Sequence, residues 1–396
     1  MRSITAAERR ARLAVRHRLA TESRAEGGAA GVTGVARSLV ALHATDPATV
    51  FLSVAARSGA ATPADVEAAL YEERSLLRML AMRRTMFVVP VELVPALQAS
   101  CADALAVRQR RTYAGYIEQA GVVPDAGPWL DEVEASAHRV LLDLGAATGA
   151  QISAAEPRLR TKVDPTPGKS YSRPLSITTW VLVTLGCQGR IVRGRPNGSW
   201  ISSQYRWSPI EKWLPDGVPR LPIDEARAEL VGRWLRAFGP APRSDIKWWT
   251  GWNFGDVDKA LARLDLAEAD LGDGVTGLLH ADDLEPVAAP EPWAALLPAL
   301  DPTPMGWQRR EWYLGEHAPP LFDRSGNIGP TVWWDGRVVG GWAQRPDGEI
   351  AVRLLEDAGA EARAAVDAEA ARVAAWMGEV RVTPRFRTPL ERELSA

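Results

Sequence analysis

Apolar positions recur at helical spacing over residues 5–22, 35–42 and 47–57, and this periodicity predicts three helices. The first opens with a Thr5-Ala6-Ala7-Glu8 capping box, and a Gly/Ala/Thr segment at 27–34 breaks it from the second. Thr62-Pro63-Ala64-Asp65 starts a further helix, cap residue first and proline at the first helical position. Residues 76–89 end in Thr85-Met86-Phe87-Val88-Val89, which has strand character. Short helices closed by a brief strand pair describe a winged helix.

The same order recurs twice. Residues 131–145 read as a helix, Gly149-Ala150 as a turn and Ser153-Ala154-Ala155-Glu156 as a capping box. A helix near 175–186 precedes Ile191-Val192-Arg193, a glycine turn at Gly194–Gly198, and Trp200-Ile201, which together form a small wing. In the third instance a helix over 224–238 ends at Gly239-Pro240. Arg243-Ser244-Asp245-Ile246 starts the next, 256–264 forms another, and 276–288 supplies the wing. After Pro290 strand-like runs appear at 331–334, 337–343 and 349–354, with Asp335-Gly336 a hairpin signal between the first two. A helix at 361–377 and an extended basic tail from Arg381 to Arg387 follow. The expected class is therefore α+β: three tandem winged-helix domains (1–130, 131–220, 221–290), then a small C-terminal antiparallel β-barrel domain with one helix (291–396).

Composition narrows the function. A chain of 396 residues with 46% hydrophobic content supports several folded domains. Sixteen tryptophans against six phenylalanines suit packing near polar surfaces or stacking on bases, with most expected in the core, Trp342 among them. Cys101 and Cys187 are not ligand-spaced, and the five histidines form no HExxH pattern, so neither a disulfide framework nor a metal site is expected. The absence of a secretory apolar region or a twenty-residue apolar span reads as cytoplasmic, with no membrane partner.

A net charge of -2 hides strong asymmetry. Residues 1–24 hold seven arginines against two glutamates, and 158–213 hold ten Lys or Arg against Asp164 and Glu211. Residues 262–292 hold eight acids against Arg263. A basic face suited to nucleic acid can coexist with that total. Arg190, Arg193 and Arg195 flank the second wing and are candidate phosphate contacts, set against the plainer reading of solvated arginines. Trp342 and Gln344 lie on a strand that is able to approach a groove.

The densest candidate chemistry is His43-Ala44-Thr45-Asp46, between the apolar run Leu39–Leu42 and Pro47. Pro47 pushes Asp46 toward an extended backbone, and Asp46 reads first as the N-cap of the helix that follows. Capping leaves His43 and Thr45 free for chemistry. The residues 43–46 are expected to border a positively charged cleft, with the His43 ring reachable and an ordinary imidazole pKa near 6.5.

Several stretches together resemble the AlkZ-like winged-helix DNA glycosylase family. They are Leu39–Pro47 with Arg57, Met82-Arg83-Arg84-Thr85-Met86-Phe87-Val88-Val89-Pro90, Gly189–Gly194, Phe238-Gly239-Pro240 with Asp245 and Trp249-Thr250-Gly251, Leu297–Pro302, and Pro330–Gly340. The resemblance implies three winged-helix units and a barrel curved around duplex DNA, as a monomer. It implies removal of N-alkylated purines, bulky N7 adducts and crosslinks included, with no metal and no organic cofactor. The family's catalytic motif is glutamine, a small or aliphatic residue, then glutamine or aspartate. It falls on His43, Ala44 and Thr45, with Asp46 in a structural role. Ala44 fits; His43 and Thr45 depart. Three readings stay open: a glycosylase using His43, a slow enzyme relying on a labile substrate, and a non-catalytic winged-helix protein that binds DNA as lesion sensor or regulator. Which adduct is natural does not follow from the sequence.

Overall fold

The computed structural model describes all 396 residues. One pattern of elements is built three times. In the first unit the Gly28–Ser38 helix leads to the two-residue strand Leu42–His43, the Pro47–Ala55 helix, the Pro63–Glu67 helix, and the strands Leu76–Leu80 and Met86–Pro90. Leu42–His43 pairs antiparallel with the last strand, His43 opposite Phe87. In the second unit Ala126–Leu144, Gly149–Ala155 and Thr178–Cys187 are the helices, and Ile191–Pro196 and Tyr205–Pro209 the strands. In the third, Ile223–Phe238, Arg243–Thr250 and Phe254–Leu261 precede Leu266–Asp270 and Thr276–His280. The short edge strand shrinks to one bridging residue in these two copies, Ala147 opposite Trp207 and Ala241 opposite Leu278.

Local chemistry accounts for the helix starts. Asp46 caps Pro47–Ala55 and accepts from the Ala48 N–H at 3.1 Å, as the sequence predicts. Thr62 caps the Pro63–Glu67 helix, as read, and Asp65 completes a reciprocal box with it. Elsewhere the pattern misleads. The Gly/Ala/Thr segment at 27–34 is helical, because Ala29, Val32, Val35 and Ala36 share one buried face, and the chain past Ser38 is strand rather than helix. The box in the second unit is Thr148 with Gln151, not Ser153 with Glu156. The second strand of its hairpin is Tyr205–Pro209; Trp200 instead stacks on Phe51 of the first unit at 4.9 Å. In the third unit the hairpin begins at Leu266, ahead of the expected 276. Arg2–Ser3 pairs with its Leu266–Asp270 strand in parallel, a pairing no local pattern announces.

The C-terminal strands Ala294–Leu297, Thr331–Trp334, Arg337–Gln344 and Ile350–Leu354 form one antiparallel sheet in sequence order. It is open, with its first and last strands unpaired to each other, where a closed barrel was expected. Both faces are covered. Leu296, Val332, Val339 and Trp342 join the first unit's helices and the Gly359–Met377 helix; Leu297, Trp333, Val338 and Ala343 join the core that runs to the third unit. Apolar residues on both faces explain why these strands lack strict alternation. No helix is long and apolar enough to cross a membrane.

The first unit is joined to this sheet by an enclosed ion pair. Arg57 and Asp301 are both fully buried. Arg57 Nη2 donates to Asp301 Oδ1 at 2.6 Å and Nη1 to Oδ2 at 2.8 Å. Ser53 Oγ donates to Oδ2, the Thr303 N–H donates to Oδ1, and Arg57 also donates to Thr303 Oγ1. Thr303 Oγ1 in turn meets His17 Nδ1 at 2.8 Å, and His17 Nε2 meets the Ala237 carbonyl at 3.1 Å. Four parts of the chain therefore meet in one polar knot. Arg57→Met leaves the Asp301 carboxylate buried without its cation, at an expected loss of about 3–5 kcal/mol. Urea unfolding measures it, and adding Asp301→Leu should recover most of the loss. A shift below about 1 kcal/mol in the single variant would show that this pair does not hold the parts together.

Candidate active site

The strand Leu42–His43 continues through Ala44, whose N–H donates to the Met86 carbonyl at 2.8 Å. Strand alternation sends Ala44 into the unit's helical core and puts His43 and Thr45 on the opposite face. The backbone then turns into the capped helix. Asp46 is nearly enclosed, and both of its oxygens are committed: Oδ1 to the Ala48 N–H and Oδ2 to the Arg385 N–H at 2.8 Å. Burial pushes its carboxyl above the usual range, while the two backbone N–H groups and the Arg385 charge pull the other way. Asp46 is thus a positioning group that fastens the C-terminal tail to the turn.

Thr45 is half-exposed and its carbonyl accepts from Arg385 Nη1 at 3.3 Å. His43 is not openly reachable, in contrast to the expectation. Its ring is 7% exposed, packed edge-on against Phe87 at 5.4 Å, with Nδ1 enclosed and unpartnered; only Nε2 keeps solvent contact. Burial, reinforced by the Arg83 charge, lowers its pKa to about 3. The ordinary value near 6.5 is therefore wrong for this site, and His43 is neutral throughout the physiological range.

Charge around the turn is one-sided. Arg193 stands over the rings of Tyr205 and Trp207 at 5.5 and 5.6 Å, has no carboxylate partner, and feels the positive charges of Arg78 and Arg385. Arg78 is buried, hydrogen-bonded to the Tyr71 hydroxyl and 4.9 Å from the Tyr205 ring. Neither Arg78 nor Arg385 forms a salt bridge. The other two candidate arginines lie elsewhere. Arg195 is held by Glu67 at 2.7 Å and Glu72 at 3.1 Å, and Arg190 donates to His138 Nδ1 at 3.1 Å. Trp342 is core, donating to the Leu297 carbonyl, and Gln344 is buried between Val380 and Val382 rather than facing a groove.

Arg78 and Arg385 were missed because neither is near His43 in sequence. A signal existed in each case: a lone arginine inside the apolar run Leu76–Leu80, and a basic extended tail.

A half-exposed Thr45 at the end of an edge strand, beside a neutral imidazole and held by an Arg385 without a carboxylate partner, with Arg193 within its charge range, suits an anionic partner. The chain belongs to the DNA glycosylase AlkZ-like family, whose model matches residues 36–376. An interstrand DNA cross-link repair glycosylase of Streptomyces sahachiroi is 27% identical over 220 residues, which is 52% of this chain. The match spans 57% of that relative's length. The structure of the Streptomyces sahachiroi DNA glycosylase AlkZ shares the mixed α+β fold, with a TM-score of 0.73 at 23% identity, over 97% of this chain and 99% of that one.

The low pKa of His43 has a stability signature. The unfolded chain binds the proton more tightly than the folded one, so the stabilisation is present above pH 6.5 and is lost as pH falls from there toward 3. At pH 5 the loss is about 2 kcal/mol from this residue. His43→Gln should flatten the dependence of the urea midpoint between pH 7 and 5, and His43 should show no NMR titration above pH 5. A midpoint near 6.5 would overturn the enclosed, neutral assignment.

Proposed function

We propose that this protein is a DNA glycosylase that hydrolyses the N-glycosidic bond of N-alkylated purines, N7-alkylpurines and bulky or crosslinked adducts among them. The observation that carries this reading is the half-exposed Thr45, beside the neutral His43 and held by Arg385 with Arg193 within charge range of it, in a chain of the AlkZ-like family. The cross-link repair activity named for the curated relative supports the substrate class. On this reading the three repeated units are winged-helix modules, and the domains divide near residues 130, 220 and 290. The protein works as a cytoplasmic monomer on duplex DNA, with Arg193 as a phosphate contact and Arg190 and Arg195 flanking it.

The chemistry needs little acid or base. An N7-alkylated purine is already cationic, so its bond to C1′ breaks with the electron pair moving to the base, which leaves neutral. Water adds to the sugar cation and gives up a proton to solvent. The protein must hold that water and tolerate the growing positive charge. Thr45 Oγ orients the water. His43 acts as a neutral hydrogen-bond acceptor rather than a proton acceptor, because a pKa of about 3 makes it a feeble base. Asp46 fixes the turn, and Ala44 anchors it in the sheet. No step uses a metal or an organic cofactor.

Incubation with duplex DNA bearing an N7-alkylguanine should release the modified base and leave an abasic site. His43→Ala should slow release by roughly tenfold or more while DNA binding stays nearly intact. Activity should stay flat between pH 6 and 8. A gain of rate in Thr45→Gln would show that the scaffold positions substrate and that the native side chain limits the chemistry. Rates equal to spontaneous depurination in every variant would leave DNA binding without catalysis as the function.

A further inference from the structure

A second groove lies across the tip of the first unit's hairpin. Its volume is about 910 Å³, and none of residues 43–46, Arg78, Arg193 or Arg385 lines it. The tip, residues 81–85, is an unusual turn. Arg83 and Arg84 both have left-handed backbones, φ 53° and 59°, in a loop closed by bonds from the Arg84 N–H to the Ala81 carbonyl and from the Thr85 N–H to the Met82 carbonyl. Two consecutive left-handed residues are what Asn-Gly supplies in hairpins. Arginine is strained there, and such strain is a mark of function where the side chains are needed.

The two side chains are aimed in different directions. Arg83 reaches the third unit, where its guanidinium lies 4.3 Å from the Trp248 ring. Gly251 makes room for it: φ is +76°, and a Cβ there would meet Arg83 Cγ at 2.9 Å. Arg84 reaches Tyr113 on the Asp103–Gln119 helix. Arg108 on that helix adds a third cation, and none of the three has a carboxylate partner. The one carboxylate of the lining, Asp256, is occupied by Arg227 at 2.6 Å. Tyr113, Tyr116 and Trp252, each half-exposed, line the groove beside these charges. One face of Tyr113 is covered by Trp180 at 5.1 Å and Arg227 lies 5.3 Å from the Trp252 ring, which leaves their outer faces to the groove.

Cations without carboxylate partners beside half-exposed rings match a phosphodiester strand whose bases are unstacked. A duplex keeps its base faces covered and has no use for the rings. The geometry points to this groove as a binding site for a single, unpaired stretch of nucleic acid, sharing no lining residue with the Thr45 turn although Arg83 lies within charge range of His43. It rests on the DNA reading above only for its biological sense, since the binding itself needs no lesion.

The test uses the full-length protein and a fluorescent, lesion-free oligothymidine of about twelve nucleotides, in the size range of such strand sites. Anisotropy should show binding that weakens with salt. Arg84→Gly should relieve the left-handed strain and raise Tm, yet lower oligothymidine affinity at least fivefold with a shallower salt dependence. Tyr116→Leu should lower affinity by a similar factor without changing the salt slope. A lesion-free hairpin duplex should compete poorly. No binding at low salt, affinity unchanged in both variants, or a duplex that competes as well as the single strand would each overturn the assignment. Base release from alkylated duplex is read separately, so failure here leaves the glycosylase reading standing, and the reverse holds.

Discussion

Placing a guanidinium and a carboxylate where water cannot reach them costs several kcal/mol per ion unless each finds partners. Arg57 and Asp301 meet that condition only in one arrangement. The Pro47–Ala55 helix must lie so that Ser53 and Arg57 both face Asp301, while Thr49 Oγ reaches the Ala299 carbonyl at 2.8 Å. A slip by one turn strands both charges. The helix is therefore fixed along its length against the 299–303 segment, and its capped start, the Asp46 turn, has no freedom to wander. Arg385 adds the third point by donating its N–H to the same cap. The position of Thr45 follows from the strand pairing within the first unit together with these constraints from the sheet and the C-terminal tail.

On the proposed glycosylase reading, enclosure of His43 has a chemical meaning beyond packing. A cationic base and a sugar acquiring positive charge are both repelled by an imidazolium. Burial and the Arg83 charge keep the ring neutral, so the residue offers an acceptor without adding a like charge. On the proposed reading Arg193 and Arg385, which have no carboxylate partners, would take their counter-charges from phosphates. The departure from glutamine at positions 43 and 45 is then smaller than it looks, because all the groups present are neutral and polar, though Thr45 reaches less far than a glutamine.

Much of this was legible in the chain, for physical reasons that differ by feature. The Thr62-Pro63-Ala64-Asp65 box and the Asp335-Gly336 turn rest on interactions within four residues, so sequence spacing alone specified them. The three-fold order of helices and hairpins was readable because each unit repeats that local grammar. The helix at 28–38 was not, since glycine content argued against it and only burial of Val32 and Val35 against the rest of the unit overrode propensity. The enclosure of His43, the recruitment of Arg78 and Arg385, and the neutralisation of Arg195 by Glu67 and Glu72 depend on partners dozens to hundreds of residues away. Local pattern marks Arg78 and Arg385 only as a lone arginine in an apolar run and part of a basic tail, and says nothing of where they meet. The sheet after residue 290 shows the same limit: its strands were visible, but not that both faces would be covered and its edges left open.

The separation between Arg57 and Asp301 also sets an order of events during synthesis. The two residues are 244 positions apart, so the arginine emerges long before its counter-charge exists. At about 5–20 residues per second, that interval is roughly 10–50 s. For that time the nascent first unit carries a cation destined for its interior and a motif helix with no anchor at its far end. Early folding must then proceed with Arg57 still solvated, the side chain swinging inward only when the sheet arrives. The candidate active site can thus gain its strand pairing and helix cap early, but its anchors at Asp301 and Arg385 only once the far end of the chain is made, although it lies in the first tenth or so of the sequence.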